Sequence, residues 1–436
     1  MSTKNCNCKD SAIVEGIFDN VWNTGPSNED FLSLAGSDAE ISPSSIKSYT
    51  LTNSNRMEVV LITWGATIVS IKCPDKYGRA EDIVLGFDDL GSYMNPQINQ
   101  YFGCTLGRCA NRIKNGNFSI GDKNYQVSMN ENATHHLHGG ENGFSRQIWD
   151  SCIDGCNVVM SYMSADGEEG YPGAVLATVR FKLSPDNKLE ISMRATTTKS
   201  TIVNLSHGSM FNLAGHDAGE SELMRHRVSL NCDRWTFTDS HDPLPTGAVR
   251  GVGGTVMDLR IPRILRDTMG KIPGGEGFDH NFCVVKGLQS GGSFVARALH
   301  GESGRILEVY SNQPGVQFYT GARLPSPYVE EGDEQDPEEP DLPIPSNFTS
   351  EASFGEIHFH EDFNSEVTRN KIANASGYIP GKKGAKYLKF GAFSIQPQNF
   401  PNAINFPHFP CSVLRPGQVY HHDLTYKFGI QLGNYM

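Results

Sequence analysis

The chain has 436 residues, of which 38% are hydrophobic, 10% aromatic and 20% charged, the make-up of a globular protein long enough to bury a substantial core. Its net charge is −12, but eight carboxylates fall in Glu330–Asp341 without one Lys or Arg, leaving about −4 for the rest. There is no basic patch to suggest nucleic acid, and no apolar run approaches the roughly 18 residues of a membrane helix.

The opening MSTKNCNCKDSAIVEG lacks the uninterrupted apolar stretch of a secretion signal. A cytoplasmic location is therefore expected, with the ten cysteines as reduced thiols rather than a disulfide framework. Residues 1–45 are polar and weakly patterned and are expected to form an extension. Within it, Cys6 and Cys8 make a CxC pair with no further metal ligands nearby.

From residue 46 to about 430 strand signals dominate. Met57–Trp64, Asn157–Ser164, Leu176–Leu183 and Lys188–Ala195 are short and rich in β-branched and apolar residues, and several alternate. Ser184-Pro185-Asp186-Asn187 separates two of them as a hairpin turn would. The pattern returns at Arg227–Thr238, Ser293–His300, Arg305–Ser311, Val316–Thr320 and Tyr420–Phe428. Sustained helical periodicity is hard to find, and 45 glycines and 23 prolines suit many strands and turns. The prediction is an all-β domain, a large sandwich or barrel. At about 325–378 it is interrupted by an acidic, proline-rich segment in which Pro337, Pro340, Pro343 and Pro345 forbid a regular element. This segment is expected to be a surface loop, with docking of a protein partner or covering of a site as the sharper alternatives.

Cofactor motifs are lacking. His135, His136 and His138 have no carboxylate or cysteine at zinc-ligand spacing, nor do the pairs His358/His360 and His421/His422. The glycine runs match neither GxGxxG nor GxxxxGK[ST], and no GxSxG elbow occurs. No cofactor, metal or nucleic acid is expected.

A set of ordered strings remains: GATIVSIKCPDKYGRAEDIVLGFD (Gly65–Asp88), YFGCTLGRCANRI (Tyr101–Ile113), HLHGGENGF (His136–Phe144), SMFNLAGH, PTGAVRGVGGTVMDLR (Pro245–Arg260), GFDHNF (Gly277–Phe282), SGRILEVYSNQPGVQFYTG (Ser303–Gly321) and QNFPNAINFPHFPCSVLRPGQVY (Gln398–Tyr420). Together they resemble the aldose 1-epimerases, or galactose mutarotases, from about Tyr49 to Phe428, with 325–378 as an insertion. The resemblance implies a large, mostly antiparallel β-sandwich that interconverts the α and β anomers of a free hexose. A glutamate base takes the proton of the anomeric hydroxyl, a histidine acid protonates the ring oxygen, and the roles reverse on closure. Each such group contributes about 10²–10⁴ in rate. The family's sugar-holding groups carry over as Asn111, Arg112, His138 and Asp279.

The reacting groups do not carry over. With Asn204 and Phe211-Asn212-Leu213 fixing the frame, the acid position falls on Gly208, and His207 lies one residue earlier. In an extended chain that step reverses the side-chain direction. With Gln398, Pro401, Ala403 and Asn405 fixing the other frame, the base position falls on Gln396 and the following aspartate becomes Asn402. An amide can still hold a hydroxyl but cannot act as a base near neutral pH. Three readings follow. The first is a carbohydrate-binding mutarotase-like protein without catalysis, Gln396 serving only to bind. The second is a working epimerase with replacement groups, His207 or a carboxylate of the insertion. The third is a protein-interaction scaffold with a vestigial pocket, its acidic insertion meeting the partner.

Overall fold

The computed structural model describes residues 5–8, 11–20, 45–239, 242–273, 276–287, 292–326 and 377–433. The acidic run, nearly all of the expected insertion, His358 and His360 lie outside these residues, as do the side chains of Cys6 and Cys8. The fold is mostly β and built from antiparallel sheets. Nine strands form the largest, in the order Asp150–Asp154, Asn157–Ser164, Val175–Leu183, Lys188–Thr197, Tyr420–Ile430, Arg305–Ser311, Ser293–His300, His226–Leu230 and Arg263–Ile264. A second sheet has five strands: Pro245–Gly251, Cys232–Thr238, Asp279–Val284, Gly315–Tyr319 and Ser394–Gln398. A third sheet has six strands, from Asn5–Cys8 to Ala80–Asp82.

The alternation seen in the sequence is what builds the core. Val175–Leu183 buries every second residue, and its hairpin to Lys188–Thr197 turns on Ser184–Asn187, with Asn187 at φ +60°. Inward side chains such as Phe181, Ile191 and Tyr426 meet Phe282, Val316, Phe318 and Ile395 of the five-stranded sheet and Leu51, Val59 and Leu61 of the six-stranded one. Helices among the described residues are short: Leu90–Met94, Gly219–Leu223 and Leu265–Thr268. None is long and apolar enough to cross a membrane.

One expectation needs correction. Arg227–Thr238 is two strands, not one. The chain leaves the nine-stranded sheet after Leu230 and enters the five-stranded sheet at Cys232, and Asn231 holds the crossing by donating to the carbonyls of Val285 and Phe294. The polar N-terminal segment contributes strands too, because Ser11–Asn20 pairs antiparallel with Ser45–Asn53 and buries Ile13 against the core. Of the described cysteines, Cys73, Cys104, Cys109, Cys152, Cys232, Cys283 and Cys411 are free thiols, as expected, and Cys156 is disulfide-bonded.

Candidate functional site

A strand that buries one face in the core must present its alternate residues to the other side. In the five-stranded sheet Phe282, Val316, Phe318 and Ile395 take the core face. Asp279, Gln317, Tyr319 and Gln396 therefore share the opposite one, with Asp279 paired to Tyr319 and Gln317 to Gln396 in register. These four side chains form one wall of a cavity. The other walls come from Asn111, Arg112, Asn130, Leu137, His138, Gly208, Met210, Arg323 and the segment Pro96–Tyr101. The cavity holds about 120 Å³. One water needs about 10–15 Å³ on the same measure, so there is room for a ligand of monosaccharide size.

The charged groups form one network. Arg112 donates through Nε and Nη2 to both oxygens of Glu131, each at 2.6 Å, and both side chains are only 4% exposed. Arg323 adds a third donor to Glu131 at 2.8 Å and stands 3.5 Å from Asp279 Oδ2. Gln317 donates to Asp279 Oδ1 at 2.7 Å, which fixes its amide orientation and leaves its buried Oε1 without a donor among the described residues. Burial alone would raise the Glu131 carboxyl, but Arg112 and Arg323 prevail and hold it at about 2. Asp279 is likewise held below its ordinary value: burial pushes upward, and Arg323, Arg112 and the Gln317 bond outweigh it.

His138 is positioned by backbone. It sits at φ +52°, its amide donates to Asn111 O, and its Nδ1 accepts the Asn111 N–H at 3.1 Å, placing the ring proton on Nε2. The loop passes so close to Gly107 that a Cβ on Gly139 would lie 1.8 Å from the Gly107 carbonyl oxygen, and Gly139 has φ +94°. The HGG run is therefore a steric requirement. Burial first, and the charge of Arg112 next, push His138 down to about 3. Its imidazole is expected to stay neutral from about pH 5 to 8, which an NMR titration of its ring protons checks. An inflection near the ordinary histidine value contradicts this environment.

Gly208 lines the cavity, and His207 does not. Ser206–His207 pairs with Thr105–Leu106, and the ring of His207 turns away, fully buried, toward Phe181 of the nine-stranded sheet. Its Nδ1 meets Ser209 Oγ at 3.1 Å, its Nε2 has no partner among the described residues, and burial together with His422 lowers it to about 3. The strand alternation directs His207 into the core, away from the cavity lining. Gly208 has its own constraint. A Cβ there would lie 2.3 Å from the carbonyl oxygen of Tyr101, whose ring packs on His138 with centroids 4.8 Å apart. Gln396 donates to Ser394 Oγ at 3.0 Å. Asn402 stands outside the cavity at φ +56°, its side-chain Oδ1 accepting from Lys114 N and its backbone N–H donating to Arg112 O.

Reading the sequence alone missed Gln317, Glu131, Arg323 and Tyr101. Strand alternation within GVQFYTG could have found Gln317, the polar residue between core-facing Val316 and Phe318. His136 does structural work: it donates to Ser128 O and accepts from the Tyr171 hydroxyl. No three His, Cys, Asp or Glu among the described residues are placed to hold a metal ion.

Comparison with known proteins bears on the family and the fold. The family pattern described as Aldose 1-epimerase matches residues 47–427. The galactose mutarotase of Bos taurus is 36% identical over 377 residues, spanning 86% of this chain and 92% of its own. The Homo sapiens galactose mutarotase matches at the same identity and coverage. Among solved structures, a GalM/aldose epimerase homologue from C. elegans superposes with a TM-score of 0.67 at 25% identity, covering 86% of this chain and 97% of that one. The galactose 1-epimerase of Lactobacillus acidophilus shares the fold, with a TM-score of 0.65 at 21% identity over 89% and 95% of the two chains. With its ordered motifs, its antiparallel sheets and a matched pattern running nearly its full length, the chain belongs to the aldose 1-epimerase family.

Proposed function

We propose that this protein binds a hexose, or the hexose end of a glycan, without interconverting its anomers. One observation carries the proposal. Gly208 and Gln396, which stand where the family's acid and base are expected, both line the cavity, and neither has an ionisable side chain. The ionisable groups that remain are poorly suited to replace them. Glu131 and Asp279 are held as carboxylates by guanidinium groups, which weakens them as bases. His138 is neutral, with its Nε2–H able to donate a hydrogen bond but no imidazolium proton to deliver near pH 7. Sugar-holding chemistry, by contrast, is well supplied: fork donors, carboxylates and amides satisfy several hydroxyls at once.

Polarimetry with galactose and glucose tests the proposal. Micromolar protein is expected to leave the anomer exchange rate at that of buffer, while calorimetry registers sugar binding. A rate well above buffer overturns the non-catalytic reading, and an absence of heat for every sugar tested favours a protein-interaction scaffold.

A further inference from the structure

We infer that Gln97 is a specificity-determining residue that contacts the ligand, its carboxamide reading a pair of vicinal hydroxyls on the sugar; this rests on the hexose-binding reading above. Gln97 belongs to the segment Pro96–Tyr101, a wall of the cavity separate from the five-stranded sheet. The segment follows the helix Leu90–Met94 and is held as a turn. The backbone N–H groups of Ile98 and Asn99 donate to Asn95 O at 3.2 and 2.9 Å, and that of Gln97 donates to Asn95 Oδ1 at 2.9 Å. Asn99 donates to Tyr93 O at 2.9 Å and accepts from Phe102 N at 3.0 Å.

Seven amide side chains line the cavity, and six of them already have at least one end engaged. Asn99 and Asn130 are held at both ends by backbone groups. Gln100 donates to the carbonyl of Arg323, Gln317 to Asp279 and Gln396 to Ser394, while Asn111 accepts from Arg112 N. Gln97 alone among them makes no side-chain hydrogen bond with the described residues, so both its Nε2 and its Oε1 are open. It is half-buried, whereas Arg112, Gln317 and Gln396 are buried. It therefore meets a sugar toward the outer part of the cavity. A carboxamide carries a donor and an acceptor in one plane. Hydroxyls on adjacent ring carbons stand side by side unless they are trans and diaxial. One can then accept from Nε2 while its neighbour donates to Oε1. The fixed backbone of the turn lowers the ordering cost of this contact.

The test is calorimetry on the full chain with galactose or glucose, whichever the native protein binds more tightly, and its monodeoxy analogues, comparing the native protein with Gln97→Ala. The side chain makes no hydrogen bond within the protein, so the variant is expected to unfold at the native denaturant concentration. It should bind the parent sugar about 5- to 50-fold more weakly. Two analogues, deoxygenated at adjacent carbons, should lose less on the substitution than the parent sugar does, because each already lacks one of the two bonds. The remaining analogues should lose as much as the parent. Equal affinity of the two proteins for the parent sugar overturns the inference alone. So does a loss spread evenly over every analogue, or a reduced loss at carbons that are not adjacent. A native chain that binds neither galactose nor glucose overturns the hexose reading and this inference with it.

Discussion

Combining Gly208→His with Gln396→Glu is expected to raise the rate of galactose anomer exchange at least about 10²-fold above buffer, at a cost of about 1–3 kcal/mol in stability. The gain follows from placing an acid and a base on two positions that already face one cavity. Either change alone supplies half of a concerted proton relay and should leave the rate near that of buffer. The cost follows from the Tyr101 carbonyl, 2.3 Å from where the new Cβ must go. The backbone around Gly208 is pinned, its N–H donating to Cys104 O and its carbonyl accepting from Gly103 N, so Tyr101 has to yield. It can: its carbonyl accepts from the thiol of Cys104, a weak donor. Moving Tyr101 also lifts its ring from His138, which the ring-proton shifts of that histidine would report. Polarimetry and denaturant unfolding check the prediction together. A folded double variant with a displaced Tyr101 and a buffer-level rate contradicts the assignment of these positions.

Glu131→Ala is expected to destabilise the protein by about 3–5 kcal/mol, since it leaves the buried guanidinium of Arg112 without its counter-charge. Sugar binding should fall with it, because Arg112, which lines the cavity, loses the carboxylate that orients its guanidinium. The same carboxylate gives a pH signature. Its folded pKa, about 2, lies below its unfolded value, so its contribution is complete above roughly pH 4.3 and lost as pH falls through about 2. Buried neutral His138 acts in the same direction over a higher window, with stability declining from roughly pH 6.5 toward about 3. Denaturant unfolding as a function of pH should show the native slope below about pH 4.3 flattened in Glu131→Gln. An unchanged slope contradicts the ion-pair account.

The sheets were legible because their strands alternate, and the hairpin at Ser184–Asn187 could be placed to the residue. Alternation also foretold that His207 and Gly208 would face opposite ways. What could not be read was anything that depends on distant segments meeting. Glu131 lies in a loop without periodicity, and only the fold brings it to Arg112 and Arg323. The approach of Tyr101 to Gly208 is a backbone contact with no sequence signature, although it turns an apparently missing side chain into a space already taken. The break at Asn231 was hidden because the residues on both sides favour strands.

Proton NMR of galactose in the presence of the protein tests the central claim most directly, reading binding by saturation transfer and anomer exchange by cross-peaks between the two anomeric protons. The account predicts saturation transfer to the sugar with exchange no faster than in buffer. Exchange cross-peaks that grow with protein concentration would contradict it.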